Sequence, residues 1–381
     1  MKAKGALLVM VYVVCCWASD VVGAVEDVWI TDDCIFEIVG GPDEPVIKRG
    51  DPGTEDINGG FEGGRVLKHN GVYHAFPTER AGIPGGLRKF DRINTRIAHW
   101  RSADGLKWQR VGTLYKSSGR VTTIAEDNPF SDRRASLWAA MPVYNEDEGR
   151  WNLFYVAYTV NMEIPPNHSF GRIWRAVSTV AGPDGLGGPY EDAGIIIEPG
   201  LESQHWEGRQ GVDSFFPYKV GDKWYGFYGG AFAIPDDRVW RVGLAEAERL
   251  SGPWKRLGPA VNPIRTIHPW FVENPVVSQL ADGTYIAFFD GGPASFGLPN
   301  MMGYTLSRDG VAWSKAVYIP LHKELKQWWH TMRTTLGVID EGDNTYTVFF
   351  TAWADIRFHQ MGMAKLRLKP EKLKEAVEKL K

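Results

Sequence analysis

Five short stretches of this chain end in nearly the same way, and that repetition limits its fold more than any other feature. "KHNGVYHAF" (68–76), "VGDKWYGFY" (220–228) and "LADGTYIAFF" (280–289) each carry a tight polar turn with Gly, then an aromatic residue, then a β-prone run. "NEDEGRWNLFY" (145–155) and "DEGDNTYTVFF" (340–350) follow the same pattern with longer turns. Asn-Gly and Asp-Gly supply the positive φ of tight hairpin turns, so each stretch reads as a β-hairpin. A second motif follows each of the first four hairpins. "SADGLKWQRVG" (102–112) and "SRDGVAWSKAV" (307–317) share Ser-x-Asp-Gly-x-x-Trp, while "LGGPYEDAG" (186–194) and "LSGPWKRLG" (250–258) are a Gly-Pro-aromatic version. The order hairpin, strand, turn, aromatic strand recurs at the roughly 40–75-residue spacing of propeller blades.

The expected fold is therefore all-β: a five-bladed β-propeller of four-stranded blades around a central channel. The fifth hairpin lacks the second motif after "MGMAKLRL" (361–368). Its outer strand is expected from "DVWITDDCIFEIV" (27–39), which would close the ring and remove open edges. No linker or composition shift divides residues 25–368, which read as one propeller domain. Residues 369–381 have Pro370 near a helix start and Leu373, Ala376, Val377 and Leu380 on one face, the pattern of a short helix docked on the outside.

Residues 1–24 read as a cleaved signal peptide. Lys2 and Lys4 precede an apolar core from Gly5 to Trp17 that is short for a bilayer, and Val22-Gly23-Ala24 offers a small-residue cleavage site. The mature protein is thus expected to be secreted or periplasmic, with Cys34 as its one cysteine and no membrane contact after cleavage. A formal charge of −3 over 381 residues leaves no electrostatic footprint for nucleic acid. Sixteen Trp suit both core packing between sheets and stacking platforms for sugars.

Aligning the hairpins on their aromatic residues brings the starts of the inner strands into register. Eleven residues before Tyr73 stands Glu62, eleven before Trp224 stands Asp213, and twelve before Tyr285, whose turn is one residue longer, stands Glu273. Blade two has Trp138 there, and blade five has Arg333 or Thr334, depending on its turn. Inner strands converge on the axis, so these positions face one channel mouth. Carboxylates from blades one, three and four would meet across a cleft, where crowding and desolvation push their pKa values apart and keep at least one protonated.

On these repeats and the three acidic positions, the chain resembles the five-bladed propeller glycoside hydrolases of the arabinanase, levansucrase and invertase superfamily, and most of all glycoside hydrolase family 43. The resemblance implies a hydrolase of plant- or algal-type poly- or oligosaccharides, with Glu62 as general base, Asp213 as pKa modulator and Glu273 as general acid. One departure is clear: family 43 usually has Asp as the base, commonly followed by Pro, whereas here Glu62 precedes Gly63-Gly64. The Asn-Asp-Pro and Arg-Asp-Pro motifs of the retaining sucrose-active relatives are absent, which weighs against fructans. By analogy the reaction is inverting, although carboxylate separation decides that outcome.

Further candidates for binding sugar are Trp138, Trp270, Trp328 and Trp329 as stacking faces, with His330, Arg333 and Asp290 as polar contacts. Trp108, Trp254 and Trp313 belong to the repeat and read as inter-blade core. The resemblance requires no cofactor; it admits a structural Ca²⁺ in the central channel near His330, though oxygen ligands suit that ion better than imidazole. Two alternatives stay open: a carbohydrate-binding propeller without catalysis, which needs no acid triad, and a glycoside phosphorylase, which needs several convergent Arg, Lys or His residues.

Overall fold

A computed structural model describes residues 32–83, 91–117, 134–160, 168–234, 237–258, 271–292, 301–321, 328–329, 331–353 and 357–380. The segment read as a signal peptide lies outside them.

Five four-stranded antiparallel blades form a propeller. Blade one comprises β2 (Phe61–His69), β3 (Val72–Glu79), β4 (Arg96–Ser102) and β5 (Gln109–Lys116). Blade two comprises β6 (Ser136–Asn145), β7 (Arg150–Val160), β8 (His168–Ala181) and β9 (Tyr190–Ile197). Blade three follows with β10 (Val212–Val220), β11 (Lys223–Ile234), β12 (Asp237–Ala247) and β13 (Lys255–Arg256). Blade four holds β14 (Phe271–Gln279), β15 (Tyr285–Gly292), β16 (Met301–Ser307) and β17 (Val317–Tyr318). In blade five, β18 (Thr331–Gly342), β19 (Thr345–Trp353) and β20 (Gln360–Leu368) are completed by β1 (Phe36–Gly40) from the other end of the chain. β1 runs antiparallel to β20, with Phe36 opposite Leu368 and Ile38 opposite Leu366. The expected ring closure is therefore the observed one. The inner strands β2, β6, β10, β14 and β18 touch in cyclic order and surround the axis.

The repeated motifs have a local cause. In blade one, Ser102 Oγ accepts the Gly105 N–H (2.8 Å), and Asp104 Oδ1 accepts those of Leu106 and Lys107 (both 2.8 Å). Ser307, Asp309 and Gly310 build the same turn in blade four, with Asp309 Oδ1 accepting from Val311 (2.9 Å) and Ala312 (2.8 Å). Side chains thus satisfy backbone donors that no ladder reaches. The following Trp packs sideways onto a neighbouring blade: Trp108 lies edge-on to Phe349 of blade five, and Trp313 meets Phe227 of blade three. Trp254 differs, because it packs edge-on against Phe215 of its own blade.

Hydrophobic clusters fill the spaces between blades one and two, two to four, four and five, and five and one, so the core is a ring of inter-blade seams. The helix α1 (Pro370–Glu378) seals the outside of the seam between blades four and five, with Leu373 buried and Ala376, Val377 and Leu380 packed on the same cluster. No helix of the described residues is long and apolar enough to cross a membrane.

One seam contains a titratable pair. His74 Nδ1 and His99 Nε2 are 2.9 Å apart, and the His99 ring stacks on Phe76. Burial pushes both imidazoles down to about 4, against an ordinary value of 6.5. They stay neutral in the fold, while the unfolded chain binds protons from pH 6.5 downward. Their contribution is complete above 6.5 and is lost as the pH falls toward 4. Thermal unfolding across that window should show the His99→Phe protein losing less stability with acid than the wild type. Equal acid slopes would remove the pair from the account.

Candidate active site

All five inner strands break their ladder at the same place. The register shifts between Glu62 and Gly64, between Trp138 and Met141, between Asp213 and Phe215, between Glu273 and Val276, and between Met332 and Thr334. A β-bulge bends its strand and re-aims a side chain. Here each bulge falls where an inner strand meets the mouth, directly after Glu62, Trp138, Asp213 and Glu273 and on Arg333 itself. Gly63, Ala139 and Asn274, the residues that follow the mouth residue in blades one, two and four, have φ near 50° (55°, 51° and 51°). Gly and Asn adopt that left-handed conformation at little cost. This explains why Glu62 is followed by Gly and Glu273 by Asn. In blade three the Ser214 N–H instead donates to Asp213 Oδ1 (2.7 Å) and fixes the carboxylate.

The bulges gather the predicted residues around one guanidinium. Arg333 Nη2 lies 2.6 Å from Glu62 Oε1, and Nη1 donates to Glu273 Oε2 at 2.6 Å. Nη1 is also 3.7 Å from Asp290 Oδ2. Glu62 has further neighbours in Arg80 Nη1 (3.4 Å) and His359 Nδ1 (3.6 Å). Across the mouth, Gln210 Nε2 donates to Asp213 Oδ2 and to the Tyr158 hydroxyl, both at 3.4 Å. Blade five reaches Glu62 because blade one passes very close to it: a Cβ on Gly60 would sit 2.1 Å from the His359 carbonyl oxygen.

The two glutamates have opposite charge states. Burial raises the Glu62 carboxyl, but Arg333, then Arg80, Arg92 and His168, outweigh it and hold the group below its ordinary 4.5. Burial also raises Glu273, and there Asp213 and Asp290 add repulsion that Arg333 does not cancel, so it stays well above 4.5. One carboxylate is ready to accept a proton and the other carries one to give. Burial keeps His168 neutral down to about 4, and burial with the nearby Asp213 keeps Tyr158 protonated far into the alkaline range.

The structure thus brings Glu62, Asp213, Glu273 and Arg333 together, and Trp138 lines the same mouth half-buried, edge-on to His168 at 5.5 Å. Three expected contacts are placed otherwise. Trp329 is 2 % exposed and its ring packs on Phe350 in the seam of blades four and five, which leaves no face for a sugar. Asp290 is fully buried and paired with Glu273, so it meets that carboxyl rather than a ligand. Trp328 likewise stacks on Phe350. Trp270 and His330 lie outside the described residues.

Arg80, Arg92, Tyr158, His168, Gln210, His359 and Trp353 escaped the sequence reading. They sit on second strands, on connecting loops or, for His168, at the start of a third strand, away from the inner-strand positions that the register compares. His359 is the blade-five histidine beside Glu62, stacked on Trp353 with centroids 4.5 Å apart.

The described residues do not fit a Ca²⁺ ion on the axis. Arg333 occupies the carboxylates that would supply its oxygens, and Arg65, which donates to Pro142 O and lies 4.6 Å over the Phe216 ring, places a second guanidinium among inner strands β2, β6 and β10. A hard cation needs several free oxygen ligands.

No family model matches the chain, and no curated protein matches it. Solved structures do. A protein described as a glycoside hydrolase superposes with a TM-score of 0.58 at 14% identity, covering 91% of this chain and 94% of its own. A family 117 glycoside hydrolase of the marine bacterium Zobellia galactanivorans gives 0.53 at 13%, covering 88% and 90%. A family 43 enzyme of Xanthomonas citri, solved with xylotriose, gives 0.52 at 12%, covering 84% and 89%. The chain shares the five-bladed fold of these enzymes.

Replacing Arg333 by Met should cost about 3–5 kcal/mol in denaturant unfolding, because it leaves buried carboxyls without their common counter-charge. Adding Glu62→Gln should restore part of that loss. An Arg333→Met protein as stable as wild type would show that the guanidinium does not hold the mouth together.

Proposed function

We propose that this chain is a glycoside hydrolase that cleaves by single displacement with inversion. The observation that carries the reading is the opposed charge of two carboxyls on one guanidinium: Glu62 held ionised and Glu273 held protonated at a shared channel mouth. In this reading Glu62 takes a proton from water as the hydroxyl adds to the anomeric carbon. The bond to the leaving oxygen breaks, and Glu273 delivers its proton there. Asp213 keeps Glu273 protonated by repulsion, and exchange with solvent resets both groups. The stereochemical part of the reading follows the family resemblance, and the separation of the two carboxyls tests it: about 6.5–9.5 Å for inversion against about 5–5.5 Å for retention.

Half-buried Trp138 offers an indole face for a sugar, and the xylotriose bound by the family 43 neighbour supports an oligosaccharide as substrate. The N-terminal pattern of residues 1–24 supports export, and with it a substrate met outside the cytoplasm.

A second reading has one observation in its favour. Arg80, Arg92, Arg333, His168 and His359 gather around Glu62, a set that suits inorganic phosphate as nucleophile in a glycoside phosphorylase. Glu62 at their centre already takes the charge of the three arginines, which favours water.

A panel of oligosaccharides and aryl glycosides, assayed with and without phosphate, separates these readings. Hydrolysis should be phosphate-independent, with the product released in the inverted anomeric form. kcat/KM should lose its acid side below 4.5, where Glu62 protonates, and its alkaline side well above, where Glu273 ionises. Glu273→Gln should lower hydrolysis by about 10²–10⁴-fold while oligosaccharide binding persists. Undiminished activity of that variant would remove Glu273 as the acid, and strict dependence on phosphate would favour the phosphorylase.

A further inference from the structure

In blade one the residue paired with the mouth glutamate is Thr78, and its hydroxyl accepts the N–H of Ala139 in the bulge of blade two (2.9 Å). In blade four the equivalent residue is Asp290, paired with Glu273. Its Oδ1 accepts the N–H of Thr335 in blade five (3.3 Å) and of Asn274 Nδ2 (3.1 Å). Anchoring one blade to the next therefore needs only an acceptor, and a hydroxyl serves in blade one. Burying a carboxyl for the same task costs far more. Moreover, Asp290 Oδ2 has no hydrogen-bond partner and faces Arg333 Nη1, the nitrogen that donates to Glu273.

A charge count explains the pair. Arg333 faces three carboxyls: Glu62, which Arg80 also serves, Glu273 and Asp290. Glu273 and Asp290 share Nη1, and Asp213 from β10 adds repulsion on Glu273. Tyr158 on β7 stays neutral, and β16 places Met302 opposite Asp290.

We propose that Asp290 is a positioning residue for the acid: its carboxyl and that of Glu273 form a buried pair on one guanidinium nitrogen, and the charge on Asp290 sets how far into the alkaline range Glu273 keeps its proton. This rests on reading Glu273 as the acid. Burial keeps Asp290 protonated up to about 7. Above that pH its proton leaves to solvent, and the charge left behind opposes a second ionisation beside it.

Asp290→Asn and Asp290→Thr in the full chain both keep an acceptor for Thr335 and remove the charge. Infrared titration of protonated carboxyl bands, without substrate, reads the pair directly. The wild type should lose one band near pH 7 that both variants lack. Their remaining Glu273 band should titrate about one pH unit lower than in the wild type, and the alkaline limb of kcat/KM should move with it. Folded variants with an unmoved Glu273 band would reduce Asp290 to an anchor. A wild type without a carboxyl ionising near pH 7 would overturn the proposal even if neither variant folds. Shifted bands in a protein that cleaves no glycoside would uphold the pair and refute the hydrolase.

Discussion

One guanidinium ties the channel mouth together. Arg333 of blade five bonds Glu62 of blade one and Glu273 of blade four, and thereby links three blades whose sequences lie far apart. A buried cation among more carboxyls than it can neutralise forces a choice of protonation states. Glu62 wins its charge because Arg80 and Arg92 stand behind it, and Glu273 gives its charge up because Asp213 and Asp290 crowd it. Opposite charge states for two like residues follow from their neighbours rather than from any difference in the side chains.

The fold makes that arrangement possible by repeating a defect. A regular inner strand would alternate its side chains between the two flanking seams. Five bulges at one level turn a residue from each blade toward the mouth instead, and closure by β1 keeps the five strands in a ring. The hydrophobic seams between blades supply the rigidity, and they reach the bulged level through Phe61, Met141, Phe215, Val276 and Met332. Fold and site are therefore one construction.

Much of this was legible in the sequence because repetition carried it. Hairpin turns, the Ser-x-Asp-Gly turn and the count back from each aromatic residue located the blades, the closing strand and the positions of Glu62, Asp213 and Glu273. Blade five stayed open between Arg333 and Thr334 because the count back depends on the length of its turn. Depth was not legible: nothing in "FFDGG" separates a carboxyl facing a ligand from Asp290 sealed beneath the acid. Nor did the pair Trp328-Trp329 announce that both rings would turn to Phe350. Arg80, His168 and His359 reach the mouth from loops and strand ends that have no counterpart in the other blades, so no register points to them.

The central claim is that neighbouring charges divide the charge states of Glu62 and Glu273. Carbon-13 NMR of glutamate carboxyls, assigned with Glu62→Gln and Glu273→Gln, measures both charge states in one titration. At about pH 6 the account predicts an ionised Glu62 and a protonated Glu273, separated by the cations on one side and the acids on the other. Two carboxyls titrating together near the ordinary 4.5 would contradict it.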